Sequence, residues 1–210
     1  MSLRVKTIVV GQLQANCYLI FDSEKKEASI IDPGDDADYI TRVIADEKVT
    51  PTQIIATHGH FDHIMAAAEL QLAYNIPFLI HQKDEFLIKR MNETAEHFIG
   101  VKAGPSPRIS ANLEKGSKLN VGKSRIEIIE TPGHTPGSIS LYDKKAGFVW
   151  VGDLLFAGGG VGRTDFSYSN QRELDISIER ILRLPEKTIL YCGHGLETTV
   201  AAELPYHTTH

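Results

Sequence analysis

The sequence predicts an α/β fold, and three observations carry that prediction. Short apolar runs bounded by turn signals recur along the chain and read as strands. Between several of them lie stretches with the 3.6-residue apolar repeat of helices, so strands and helices alternate. Hydrophobic residues make up 42% of the 210 positions, enough for one sizeable core, and no break in composition marks a second domain. Residues 1–210 are therefore expected to form one domain.

Val5, Thr7 and Val9 alternate with Lys6 and Ile8 in a strand over residues 3 to 10. The apolar run Cys17-Tyr18-Leu19-Ile20-Phe21 and the segment 28 to 31 follow as strands, and the three read as an antiparallel meander. Asp32-Pro33-Gly34 breaks the chain, and Asp35 or Asp36 can cap a helix striped by Ala37, Ile40, Val43 and Ile44. A strand over residues 53 to 57 precedes a helix from Asp62 to about Tyr74, with Ile64, Ala67, Ala68 and Leu72 on one side. Phe78-Leu79-Ile80 is a strand, and residues 82 to 90 a charged helix. Residues 91 to 117, interrupted by Gly100, Gly104, Pro105, Pro107 and Gly116, read as a long loop bordering a site. Strands of a second sheet are expected at residues 119 to 121, 125 to 130, 138 to 142 and 148 to 151. A helix over 171 to 184, striped by Leu174, Ile178, Ile181 and Leu182, leads to a last strand at 188 to 191.

The net charge of -5 supplies no basic field for a phosphate backbone, so nucleic acid is not an expected partner. Polar residues interrupt the N-terminal apolar run, which therefore lacks a signal-peptide layout, and no window approaches the ~18 apolar residues of a membrane span. A soluble, cytoplasmic protein without a membrane partner is the expectation; nothing in the residues bears on oligomeric state. Cys17 and Cys192 stand outside any C-x-x-C pattern and read as buried, reduced thiols.

The chemistry concentrates in Thr57-His58-Gly59-His60-Phe61-Asp62-His63, which holds three of the chain's nine histidines and a carboxylate. Imidazole nitrogen and carboxylate oxygen are ligands for zinc, iron or manganese. His58 and His60, two apart at a strand end, can point to one side, while Asp62 and His63 enter from the following turn. Four ligands serve one metal poorly or two metals partly, so more are expected elsewhere. His134 sits between two Pro-Gly pairs in the loop joining two strands, Asp153 follows the strand 148 to 151, and His194 stands in Gly193-His194-Gly195 after the last strand. Four strand-end loops thus offer ligands. Thr57 and Thr131 read as supporting residues, and Ser138 lacks the G-x-S-x-G setting of a nucleophile.

Taken in order, His58-x-His60-x-Asp62-His63, His134, Asp153 and His194, in the contexts THGHFDH, TPGHTPGS, VGD and CGHG, resemble the dinuclear pattern of the metallo-β-lactamase superfamily and in particular its short glyoxalase II-like hydrolases. The resemblance implies a four-layer αββα sandwich. It also implies two divalent metal ions, zinc foremost with iron or manganese as alternatives. His58, His60 and His134 would hold one, Asp62, His63 and His194 the other, and Asp153 would bridge them. A metal-bridging hydroxide would attack the carbonyl of a small-molecule thioester, with Asp62 orienting it or taking its proton. The segment Gly162-Arg163-Thr164-Asp165-Phe166 is similar to that of the short hydrolases and of persulfide dioxygenases, and it makes Arg163 the candidate to bind a substrate carboxylate, glutathione-linked substrates included, with an internal ion pair to Asp165 or another nearby acid as the rival role. Glyoxalase II carries a tyrosine shortly after its last histidine where this chain has Gly195-Leu196-Glu197, and with sixteen residues after His194 the family's helical glutathione-binding domain is expected to be absent. Two other readings stand beside the thioesterase. One is a mononuclear iron persulfide dioxygenase using His58, His134 and Asp153. The other is a non-catalytic metal-binding protein.

Overall fold

Side chains alternate between the two faces of a strand, and here that alternation sorts neighbouring apolar residues into different layers. The structure is a computed structural model and describes residues 3–207; positions 1, 2 and 208 to 210 of the expected domain lie outside the described residues. The first sheet begins with β1 (Leu3–Val10), β2 (Ala15–Asp22) and β3 (Glu27–Ile31), paired antiparallel as the expected meander. Helix α1 (Ala37–Glu47) returns the chain to β4 (Thr50–Ile55), parallel to β3. Helix α2 (Ala67–Tyr74) leads to β5 (Phe78–Ile80), and α3 (Glu85–Lys89) with α4 (Met91–Ile99) leads to β6 (Ile109–Asn112), each strand parallel to the one before.

The second sheet starts with β7 (Leu119–Val121), β8 (Ser124–Glu130), β9 (Ile139–Asp143) and β10 (Phe148–Gly152), all antiparallel neighbours. A small hairpin, β11 (Leu155–Phe156) and β12 (Gly160–Val161), and helix α5 (Gln171–Leu182) precede β13 (Ile189–Cys192), which pairs parallel to β10. Strand β14 (Thr198–Thr199) closes that edge before helix α6 (Val200–His207).

Ile30, Ile54 and Phe78 turn to the helices and pack with Ile40, Leu70 and Met91. Their neighbours Ile31, Ile55 and Leu79 turn the other way and meet Ile126, Ile139, Leu141 and Trp150 of the second sheet. Val149, Val151 and Leu190 face outward again, onto Leu174, Ile178 and Ile181 of α5. The expected αββα sandwich follows. Cys17 and Cys192 are free and buried, as expected.

Five local expectations are corrected. The helix expected from Asp62 begins only at Ala67; a 3₁₀ turn, Phe61–His63, comes first, and Ile64 leaves helical geometry at φ -139. Leu72 is 85% exposed, and Leu70 faces the core instead. The expected helix over 82 to 90 is a 3₁₀ turn, Gln82–Asp84, followed by the short α3. The expected loop 91 to 117 contains α4, whose buried Met91 and Ala95 are one turn apart, and β6; Gly100, with φ 69, ends the helix. Asp36 does stand at the start of α1, but its carboxylate accepts from the Gly11 amide at 3.0 Å instead of capping. Among the described residues, no helix is long and apolar enough to cross a membrane.

The loops after β4, β8, β10 and β13 share one edge of the sandwich and are joined there by main-chain bonds: Ile139 to Thr57 at 2.9 Å, Gly193 to Gly152 at 2.8 Å and Asn16 to Gly193 at 2.7 Å. The burial pattern of α2 predicts that Leu70→Ala costs about 2 to 5 kcal/mol, whereas Leu72→Ala changes stability by no more than about 0.5 kcal/mol. Urea denaturation of the two variants checks the contrast, and equal losses would contradict it.

Candidate metal centre

The structure brings all seven sequence-derived ligand candidates to that edge. His58 and His60 follow β4, Asp62 and His63 lie in the 3₁₀ turn, His134 comes from the loop between β8 and β9, and Asp153 and His194 follow β10 and β13. Ligand atoms of His58, His60 and His134 lie within 4.8 Å of one another, as do those of Asp62, His63 and His194. Asp153 stands between the two groups: Oδ1 is 3.4 Å from His63 Nε2, while Oδ2 is 3.6 Å from His134 Nε2 and 3.7 Å from His194 Nε2. A third cluster, Asp32 with His58 and His63, meets the same distance limit. There, however, Asp32 Oδ2 already accepts from Thr57 Oγ1 at 2.6 Å and from His63 Nδ1 at 3.2 Å, which makes it a support for the other residues.

Hydrogen bonding decides which nitrogen each ring presents. His134 Nδ1 lies 2.8 Å from the Arg163 carbonyl and His194 Nδ1 lies 3.0 Å from the Leu13 carbonyl; carbonyls only accept, so both Nδ1 atoms carry the proton and both Nε2 atoms are bare. The Asp32 carboxylate assigns His63 in the same way. Thr57 donates its hydroxyl proton to Asp32, so its oxygen accepts from His58 Nδ1 at 3.1 Å. Tyr168 OH, 2.9 Å from His60 Nε2, occupies the outer side of that ring and leaves Nδ1 facing inward. The inward nitrogens then crowd: His60 Nδ1 and His134 Nε2 are 2.9 Å apart, and His63 Nε2 and His194 Nε2 are 3.3 Å apart. Lone pairs at that spacing repel unless a proton or a metal cation lies between them. His58 Nε2 and Asp153 Oδ1 are buried without a hydrogen-bond partner, as metal ligands would be. The donor set fits divalent cations that accept imidazole and carboxylate.

Burial, reinforced by the neighbouring imidazoles, holds His58 and His60 well below the usual histidine range. Burial also opposes charge on His63, but Asp153, Asp62 and Asp32 outweigh it and push that ring up to about 10, so with no cation beside it Nε2 takes a proton, which a bound cation would displace to leave that nitrogen bare. Asp62 shows the converse: burial would raise its carboxyl, yet His63 and His194 hold it below the usual carboxylate range.

Three buried polar residues that carry no sequence motif set the ligand loops. Asp84, fully buried, accepts from Gly59 N at 2.9 Å, Gly137 N at 2.7 Å and Thr135 Oγ1 at 2.7 Å, and so ties the His58–His60 loop to the His134 loop. Burial holds its carboxyl above the usual range, against the pull of those donors. Asn16 Nδ2 donates to the carbonyls of Cys192 and Gly195 at 3.0 and 2.9 Å, on either side of His194. Asp32 serves Thr57, whose amide it also accepts at 2.7 Å. Close approach explains two glycines: a Cβ on Gly193 would lie 2.0 Å from Asp153 Oδ1, and one on Gly137 would lie 2.6 Å from Asp84 Oδ1.

Arg163 lies at the rim of the cavity over these residues. Its carbonyl holds His134, while its guanidinium donates from Nε and Nη2 to Asp165 at 2.6 Å each.

Residues 10–194 match the model of the metallo-beta-lactamase superfamily. Over 209 residues the chain is 35% identical to hydroxyacylglutathione hydrolase GloC of Haemophilus influenzae, covering 96% of this chain and 95% of that protein. Among solved structures, BLEG-1 B3 metallo-beta-lactamase superposes with a TM-score of 0.90 at 34% identity, covering 98% of this chain and all of the other. TTHA1623, solved in a di-iron-bound form, superposes with a TM-score of 0.86 at 34% identity over 95% of this chain and 96% of that one.

Replacing Asp84 by alanine strands two amides and a hydroxyl in the interior. Asp84→Ala is predicted to lose about 3 kcal/mol of stability or more and to weaken metal binding at His58, His60 and His134. Denaturation and metal titration check this, and an unchanged affinity would contradict the positioning role.

Proposed function

Because the chain belongs to the metallo-β-lactamase superfamily, we propose that this member hydrolyses a thioester, with one divalent cation on His58, His60 and His134, a second on Asp62, His63 and His194, and Asp153 between them. The observation that carries the reading is the set of inward-facing donor atoms in two adjacent groups, each imidazole held by a partner on its outer side. Zinc is the proposed ion, with iron and manganese accepted by the same ligand types. A pair of bound divalent cations acidifies water and polarises a carbonyl.

The chain's own residues then have separable tasks. Asp62, ionised at neutral pH, has Oδ2 3.4 Å from His194 Nε2 and 3.7 Å from His63 Nε2. On this reading the Asp62 carboxylate, besides holding the second cation, orients the attacking water and receives its proton. Tyr168, whose phenol is pushed up to about 12 chiefly by burial, stays neutral and steadies His60. The Arg163 carbonyl and the Leu13 carbonyl fix the rings of His134 and His194. Water attack on the acyl carbon breaks the carbon–sulfur bond and releases a carboxylate and a thiol. The 35% likeness to a hydroxyacylglutathione hydrolase supports a thioester as the substrate class.

Metal-replete protein is predicted to hydrolyse at least one member of a thioester panel, and His58→Ala to reduce that rate by about a hundredfold or more, beyond the loss typical of residues supporting a metal ligand. A chelator should lower the thermal midpoint along with activity. Oxygen uptake with a persulfide, carried out by protein holding one iron per chain, would replace this reading with the dioxygenase one. Turnover of a β-lactam with no thioester hydrolysis would move the substrate class to the amide of a strained ring.

A further inference from the structure

The cavity over His60 and His134, about 650 Å³ in volume, is walled by aromatic rings. Phe166 meets the His60 ring edge-on at 5.3 Å and stacks on Tyr168 at 5.2 Å between centroids. Phe98 meets Phe166 edge-on at 6.3 Å and stacks on the buried Phe61 at 6.0 Å. Since Phe98 is 46% exposed, the aromatic wall runs from the ligand residues to the mouth.

The guanidiniums lining this cavity are both engaged. Arg163 is held in a two-point pair by Asp165, and Arg90 donates from Nε and Nη2 to the two oxygens of Glu93 at 3.2 Å each. Arg163 also lies over the Phe166 ring at 4.4 Å, presenting a flat, charge-matched face. No lysine lines the cavity among the described residues. A glutathionyl group, with two carboxylates and one ammonium, would have to compete with Asp165 and Glu93 for these guanidiniums, whereas an uncharged ring would meet aromatic edges and the guanidinium plane without displacing an ion pair.

On the basis of the thioesterase reading, we infer that the substrate carries an uncharged aromatic or apolar group next to the reacting thioester, packed against Phe166 and Phe98 with Arg163 contacting it through its plane. The acyl–sulfur bond is then hydrolysed as above, with one water consumed.

The test compares three substrates of the metal-replete protein: the phenylacetyl thioester of N-acetylcysteamine, the S-benzyl thioester of acetic acid, and S-lactoylglutathione. At least one aromatic thioester is expected to exceed S-lactoylglutathione in kcat/KM by about tenfold, the factor that burying and stacking one ring supplies. Phe98→Ala, at a half-exposed position, should erase most of that preference. Asp165→Asn, at an exposed position, should release the Arg163 charge and shift the ratio toward S-lactoylglutathione by about fivefold. Preference of the wild type for S-lactoylglutathione, or a ratio unmoved by both variants, would overturn the inference and leave the thioesterase reading intact. Hydrolysis of none of the three, with turnover of other thioesters, would also overturn the inference alone; silence on every thioester would overturn both.

Discussion

Five imidazoles and two carboxylates share one edge of the sandwich, and their inner atoms approach to 2.9 Å. Keeping bare nitrogens that close is the constraint on which the rest of the site depends. Left alone, such rings would rotate to form hydrogen bonds with each other or with water. What stops them is a ring of acceptors on their outer sides: the Asp32 carboxylate, the Thr57 hydroxyl, the Tyr168 phenol, and the carbonyls of Leu13 and Arg163. Each acceptor fixes a ring orientation, and four of the five also leave no choice of tautomer.

Those acceptors are positioned by the sandwich. Asp32 directly follows β3, and β4, parallel beside it, leads into Thr57 and His58, so the support and the candidate ligand arrive from adjacent strands. Asp84 binds two ligand loops that stem from different sheets, and the main-chain bonds from Asn16 to Gly193 and from Ile139 to Thr57 do the same at two further points. A sheet-to-sheet slip of one residue would break these bonds and scatter the ligands. The apolar layer between the sheets, centred on Ile31, Ile55, Leu141 and Trp150, resists that slip because it is filled by close-packed side chains.

Much of this was legible in the sequence. The two-residue alternation marked β1, and the meander of β1 to β3 followed from three strands separated by short turns. The cluster was legible because imidazoles and acids at four strand ends form a chemical pattern that survives without coordinates, and the fold gathers those side chains at one edge. The supporting residues were not. Asp84 reads as one more charge in a charged stretch, and Asp32 as a turn residue before proline; only the folded contacts reveal that both are buried acceptors. Helix α4 was hidden because only Met91 and Ala95 face the core among polar neighbours, and β6 because it is an edge strand with exposed side chains. Leu72 was misplaced because the short 3₁₀ turn over Phe61–His63 and the irregular Ile64 reset the helical phase. That same irregularity aims Asp62 and His63 at the site.

The most direct measurement is anomalous diffraction from crystals of the metal-loaded protein. Two peaks are predicted, one among His58 Nε2, His60 Nδ1 and His134 Nε2 and the other among Asp62, His63 Nε2 and His194 Nε2, with Asp153 between them. A single peak, or an ion bound by Asp32 together with His58 and His63, would contradict the account.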